Sequence, residues 1–109
     1  MTLTKQQLRN LELIKTCPKA LRKHLLIKFP VRSVKAICEC ALNLLKGNIP
    51  VSPHQKRSLA KYKTSLRKIG TKKGNLYTKK KLIIQQGGFL NILIPSALSL
   101  LTSLIHGNR

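Results

Sequence analysis

Apolar side chains recur every three to four positions through residues 1–70, the period of helices that bury one face. Thr4 is placed to N-cap a first helix, in which Leu8, Leu11 and either Ile14 or Lys15 follow at that spacing. Pro18 suits the first turn of a second helix, which carries Leu21, Leu25, Leu26 and Phe29 and stops at Pro30. The third pattern is the clearest. After Ser33 as its cap, Val34, Ile37, Cys38, Ala41, Leu42 and Leu45 fall on one continuous face. Gly47-Asn48 ends it, and an extended run Ile49-Pro50-Val51 follows. Ser52-Pro53 then supplies an N-cap and an N1 proline for a fourth helix over 53–69. Leu59, Tyr62, Leu66 and Ile69 give that helix a thin apolar stripe, and Gly70 ends it.

Beyond Gly70 the pattern changes. Thr71 to Thr78 reads as a mobile basic linker with Gly74-Asn75 as a turn signal, and Leu82 to Ile84 as an extended piece. Leu82 to Ile105 is a run of 24 residues without charge, divided by Gly87-Gly88. Pro95 is expected to start the last helix, with Gly107 just past its end. The predicted fold is all-α. A small bundle of three to four short helices occupies 1–70, a basic linker and extended segment 71–86, and a separate apolar C-terminal helix lies in a tail over 87–109. A body of that size buries only a thin core.

Charge sharpens this picture. The 109 residues hold 22 lysines and arginines against two carboxylates, Glu12 and Glu39, for a net charge of +20. Internal ion pairing neutralises almost none of that charge, so self-repulsion opposes compaction and a polyanionic partner relieves it. Nucleic acid is the first expectation and anionic lipid the second. With no aspartate, the chain lacks a carboxylate cluster for magnesium or calcium and the usual parts of a triad or kinase-like site. His24, His54 and His106 sit far apart in no motif, so neither an enzyme nor a cofactor is expected. Cys38 and Cys40 lie two apart, on different helix faces, and do not jointly grip a metal. Three cysteines, with no apolar signal segment in MTLTKQQLRN, point to a reducing compartment rather than a disulfide framework.

Eleven of the 29 residues from Pro53 to Lys81 are basic and none is acidic. Lys56, Arg57, Lys61, Lys63, Arg67, Lys68, Lys72, Lys73, Lys79, Lys80 and Lys81 are the expected phosphate contacts, on double-stranded DNA and without base readout. Only Tyr62 and Tyr77 are available to stack on bases, too few for a single-strand platform. The apolar run from Phe89 to Ile105 is 17 residues, short of the ~20 that span a bilayer. Phe89, Leu90, Ile92, Leu93, Ile94, Leu98, Leu100, Leu101, Leu104 and Ile105 need cover from protein or lipid, and Lys79 to Lys81 beside them suit an anionic leaflet. Gly87-Gly88 reads either as a flexible break or as the kind of sequence that a narrow-cleft cysteine protease admits.

The junction KKKLIIQQGGFLNILIP, Lys79 to Pro95, resembles that of adenovirus core protein X, the precursor of the small core peptide mu, where a basic DNA-condensing segment runs into an RGGxLPxLIP-type tail. The stretch from Cys38 to Leu90 resembles small basic proteins of adintoviruses and Polinton (Maverick) elements, which carry capsid proteins and an adenain-type protease. These resemblances imply a cut at Gly88-Phe89, with Gly87 and Gly88 in the tight subsites and Gln85 in the fourth position before the bond. Gln86 stands where the adenoviral pattern has arginine, and Leu90-Asn91 where it has leucine-proline.

The expected function is therefore a DNA-condensing virion core protein precursor, matured by a viral protease and located in the virion core and host nucleus. Capsid shell proteins or an anionic membrane are further expected partners. The alternative is a membrane-associated viral protein whose apolar tail inserts in lipid.

Overall fold

The computed structural model describes residues 4–71 and 73–107, with side chains as far as Ser99, apart from residue 72. Seven α-helices are present among them: α1 (Lys5–Thr16), α2 (Lys19–Ile27), α3 (Val31–Leu45), α4 (Pro53–Ala60), α5 (Lys63–Gly70), α6 (Leu76–Gln85) and α7 (Leu90–Gly107). A 3-10 turn, Gly87–Phe89, joins the last two. The described residues contain no strand, and the all-α small bundle expected from the periodicity is what they form.

Local chemistry sets several boundaries. Thr4 Oγ1 accepts from the Gln7 amide at 3.1 Å while Gln7 Oε1 accepts from the Thr4 amide at 2.8 Å, a capping box that starts α1. Ser52 and Gln55 form the same reciprocal pair at α4, behind Pro53 in the first helical position. At the end of α3, Asn48 N–H donates to Asn43 O at 2.8 Å and Gly47 N–H to Leu44 O at 3.1 Å. That is a Schellman motif, and its left-handed residue is Gly47 at φ +80°. Ser33 corrects the sequence reading: α3 begins after Pro30, and Ser33 is buried inside its first turn. Its Oγ accepts from Asn10 Nδ2 of α1, so the buried hydroxyl is paired across the helix interface.

Helix α3 lies at the centre, packed by α1, α5, α6 and α7. Contact on several sides explains why Cys38 and Cys40 are both buried although they point to different faces. Three further expectations are corrected. The helix expected over 53–69 breaks after Ala60, and Tyr62, at φ −104° and ψ 12°, leads into α5. The break aims Tyr62 inward, edge-on to Phe89 with ring centroids 5.9 Å apart. The linker and extended segment expected over 71–86 is mostly helix, because Asn75 Oδ1 accepts from the Thr78 amide at 2.9 Å and caps α6. Pro95 lies inside α7 rather than at its start.

The apolar tail does not stand apart. Helix α7 packs on α1 and α3, and Phe89, Leu90, Leu93, Ile94, Ala97 and Leu98 are core residues. The larger five together supply on the order of 10 kcal/mol of burial at roughly 1.5–3 kcal/mol each, counted against an extended chain. That is comparable with the whole stability of a small domain, roughly 5–15 kcal/mol. The radius of gyration, 13.1 Å, fits a single compact unit of this length.

Candidate nucleic-acid interface

Two short helices carry the same exposed pattern. In α4 the core side is Leu59, flanked by half-buried Gln55 and Ser58. Lys56, Arg57 and, just past the helix end, Lys61 face solvent. In α5 the core side is Ser65, Leu66, Ile69 and Gly70, and Lys63, Arg67 and Lys68 face solvent. Residues four apart on a helix rise about 6 Å and share a face. Each helix presents a broad cationic face away from its buried edge, with no carboxylate on either one.

The rest of the expected site is divided by the fold. Lys73 and Lys81 are exposed, and the Lys81 ammonium sits 5.4 Å from the Tyr77 ring centroid. Lys72 lies outside the described residues. Lys79 is buried: its stem fills the space beneath the 71–75 loop, and its ammonium donates to the Thr71 carbonyl. Lys80 is half-buried, and its ammonium donates to Ile27 O at 2.7 Å and Phe29 O at 3.1 Å, closing the carbonyl end of α2. These two lysines are corrections to the expected interface. Their long alkyl stems take core-side positions on α6 and their ammonium groups are spent on backbone carbonyls. Two clefts flank the loop. One, of about 470 Å³, includes Lys35, Cys38, Glu39 and Lys79, and the other, of about 360 Å³, includes Lys68, Lys73, Thr78 and Lys79.

Cations outside the expected stretch matter as much. Of the lysines and arginines with described side chains, seventeen are exposed, Arg22 and Lys80 are half-buried, and Lys79 is buried. Lys5, Arg9, Lys19, Lys23, Lys28, Arg32 and Lys35 are among the exposed ones. They were legible as charges in the sequence, but they are spread along the chain rather than bunched, and only the fold shows that they line the surface.

The diglycine is built into the packing. A Cβ on Gly88 would stand 2.4 Å from Tyr62 Oη, so the close approach of the tyrosine requires glycine there. Ser65 Oγ and Gln86 Oε1 form a hydrogen bond that ties this segment to α5. Gln85 is exposed, Gly87 and Gly88 are half-buried, and Phe89 is fully buried. The diglycine is therefore not a flexible break: the Gly88-Phe89 bond lies in a 3-10 turn with its Phe89 side in the core.

The tail residues are placed likewise. Phe89, Leu90, Leu93, Ile94 and Leu98 are in the core and Ile92 is half-buried against it; the side chains of Leu100, Leu101, Leu104 and Ile105 lie outside the described residues. Among the described residues no single helix is long and apolar enough to cross a membrane; Leu76–Gln85 and Gly87–Ser99 reach that threshold only together, bent by 78°. No group of three metal-ligating side chains occurs among the described residues. Burial pushes the Cys40 thiol up to about 12, helped by the Glu39 charge and by Cys38. Burial also raises Cys38, against an opposing pull from the Lys79 charge. At neutral pH both are core thiols rather than nucleophiles.

No family model, no curated protein and no solved structure matches this chain.

Proposed function

We propose that this protein binds double-stranded DNA without sequence preference, by neutralising phosphates, and serves as a small core protein of an adintovirus-like or Polinton-like element. The observation that carries the reading is the surface: among the described side chains, seventeen exposed cations stand against two exposed carboxylates on a body of 38 × 29 × 29 Å. A surface of nearly one sign attracts a polyanion from any approach and repels its own copies. The cationic faces of α4 and α5 are the primary contact, because six cations lie there with no acid between them. Lysines and arginines on two short helices grip backbone phosphates, and no constellation for reading bases accompanies them.

In that role the protein resides in the virion core and, during assembly, in the host nucleus. The Gly88-Phe89 bond is where an adenain-type protease would act, and the fold sets a condition on it. Cleavage requires the 3-10 turn to open and Phe89 to leave the core, so it tracks local unfolding. The membrane alternative gains no comparable support, since Phe89, Leu90, Leu93, Ile94 and Leu98, half of the residues that would enter lipid, help to hold the bundle together.

The test is equilibrium binding to two unrelated duplexes across a salt series. About eight phosphate contacts give a log-log slope near −7, with equal affinities on both duplexes. Binding that persists undiminished at ~0.5 M salt, or that discriminates strongly between the duplexes, would contradict the proposal.

A further inference from the structure

Helix α2 carries exposed cations that the α4–α5 interface does not use. We propose that α2 is a second phosphate-binding face, set across α6 from the α4–α5 faces, and that one molecule thereby bridges two duplexes. This inference rests on the DNA-binding reading above and adds a second binding face and a stoichiometry to it.

The placement follows from α6. Lys80 reaches one flank of that helix, where its ammonium holds Ile27 O and Phe29 O at the end of α2. Leu82, two residues on and so on the opposite side of the helix, lines a cleft with Lys68 of α5. Arg22 of α2 donates from Nη2 to Asn91 Oδ1 of α7 at 2.7 Å, tying α2 to α7 as well. Helix α6 therefore stands between α2 and α5. Packed helix axes lie about 8–10 Å apart, so the outer faces of α2 and α5 are separated by roughly 20 Å or more. That exceeds twice the Debye length of about 8 Å in physiological salt, so each face attracts its own phosphates independently of the other.

The face itself is suited to the task. Only Leu26 of α2 is buried; Lys19 and Lys23 share one exposed edge a turn apart, and Lys28, at the helix end, lies on the other exposed edge. No carboxylate lies between Lys19 and Lys28. A duplex seated on α4–α5 leaves this face open on the far flank, where a second duplex meets Lys19 and Lys23 along one edge and Lys28 along the other.

The experiment uses the full chain and two duplexes. One is fixed to beads and saturated with protein, and a fluorescent second duplex is then offered at ~0.1 M salt. The wild type captures the second duplex. The variant Lys19→Gln/Lys23→Gln/Lys28→Gln still loads onto the fixed duplex and captures the second with an affinity weaker by on the order of 10²-fold, as expected for three lost phosphate contacts. The control Lys5→Gln/Arg9→Gln/Lys15→Gln, which removes equal charge from α1, retains capture. Capture by the α2 variant equal to wild type, or equal loss in the α1 control, overturns the bridging face. So does a wild type that loads onto beads but captures nothing. Failure of the wild type to load at all overturns the DNA-binding reading itself.

Discussion

The polycation from Pro53 to Lys81 is continuous in sequence but divided in space. On α4 and α5 its charges face water with the helix stems beneath them, and on α6 Lys79 and Lys80 turn inward to hold a loop and the end of a helix. The difference lies in what surrounds each position. In α4 and α5, Leu59, Leu66 and Ile69 supply the buried edge, so the lysines are free to be solvated. In α6 the core-side positions include Lys79 and Lys80 themselves, and their alkyl stems do the packing. A run of like charge is therefore one feature to a sequence and two to a fold: an exposed cationic surface and a set of fasteners.

Several substitutions test that division. The largest effect on stability is expected behind α6: Phe89→Ala removes a fully buried ring that Tyr62 meets edge-on, and should cost about 3–5 kcal/mol in denaturant unfolding. An exposed, lipid-directed Phe89 would show almost no loss. On the outward side, neutralising Lys56, Arg57, Lys61, Lys63, Arg67 and Lys68 to glutamine should weaken duplex binding by on the order of 10⁴-fold at ~0.1 M salt. Thermal stability should hold or rise, because self-repulsion falls.

On the inward side, Lys80→Met keeps the stem but loses the bonds to Ile27 O and Phe29 O, and should destabilise by roughly 1.5–3 kcal/mol. Amide exchange should quicken in α2 before other helices. Gly88→Ala should cost roughly 1–3 kcal/mol through its clash with Tyr62 Oη. Tyr62→Ala in the same chain should remove most of that increment, as a double-mutant cycle would show.

A pH dependence is also expected at Cys40. Its folded-state value, pushed up to about 12, lies above the ordinary 9.0, so the folded protein holds a proton that the unfolded chain releases between those limits. Its contribution is complete below pH 9 and is lost as pH climbs toward 12. Cys40→Ala should flatten the fall in stability there. An unchanged slope would place the thiol in water.

Much of the fold is legible in the chain because its signals are local. Thr4 and Ser52 each precede a glutamine by three residues, Gly47-Asn48 ends α3, and the apolar period of α3 marks the central helix. Helix α6 is not legible by apolar period, since lysines stand where apolar residues would be counted. The tail misleads for a related reason: an uncharged run reads alike whether it meets lipid or protein, and only the packing of α7 on α1 and α3 decides. In the candidate site, the α4 and α5 faces follow from spacing alone. The loss of Lys80 to the interior, and the gain of α2, depend on contacts between residues some fifty apart in the chain, as in the Lys80–Ile27 bond, whereas Lys79 turns in to Thr71, eight residues before it.

The most direct measurement compares the salt dependence of duplex binding in three proteins: wild type, the six-glutamine α4–α5 variant, and Lys79→Met/Lys80→Met under conditions where it remains folded. Outward cations that contact phosphates predict a log-log slope shallower by about 5 in the six-glutamine variant and nearly unchanged in the inward pair. Equal slopes in wild type and the six-glutamine variant, or a large change confined to Lys79→Met/Lys80→Met, would contradict the account.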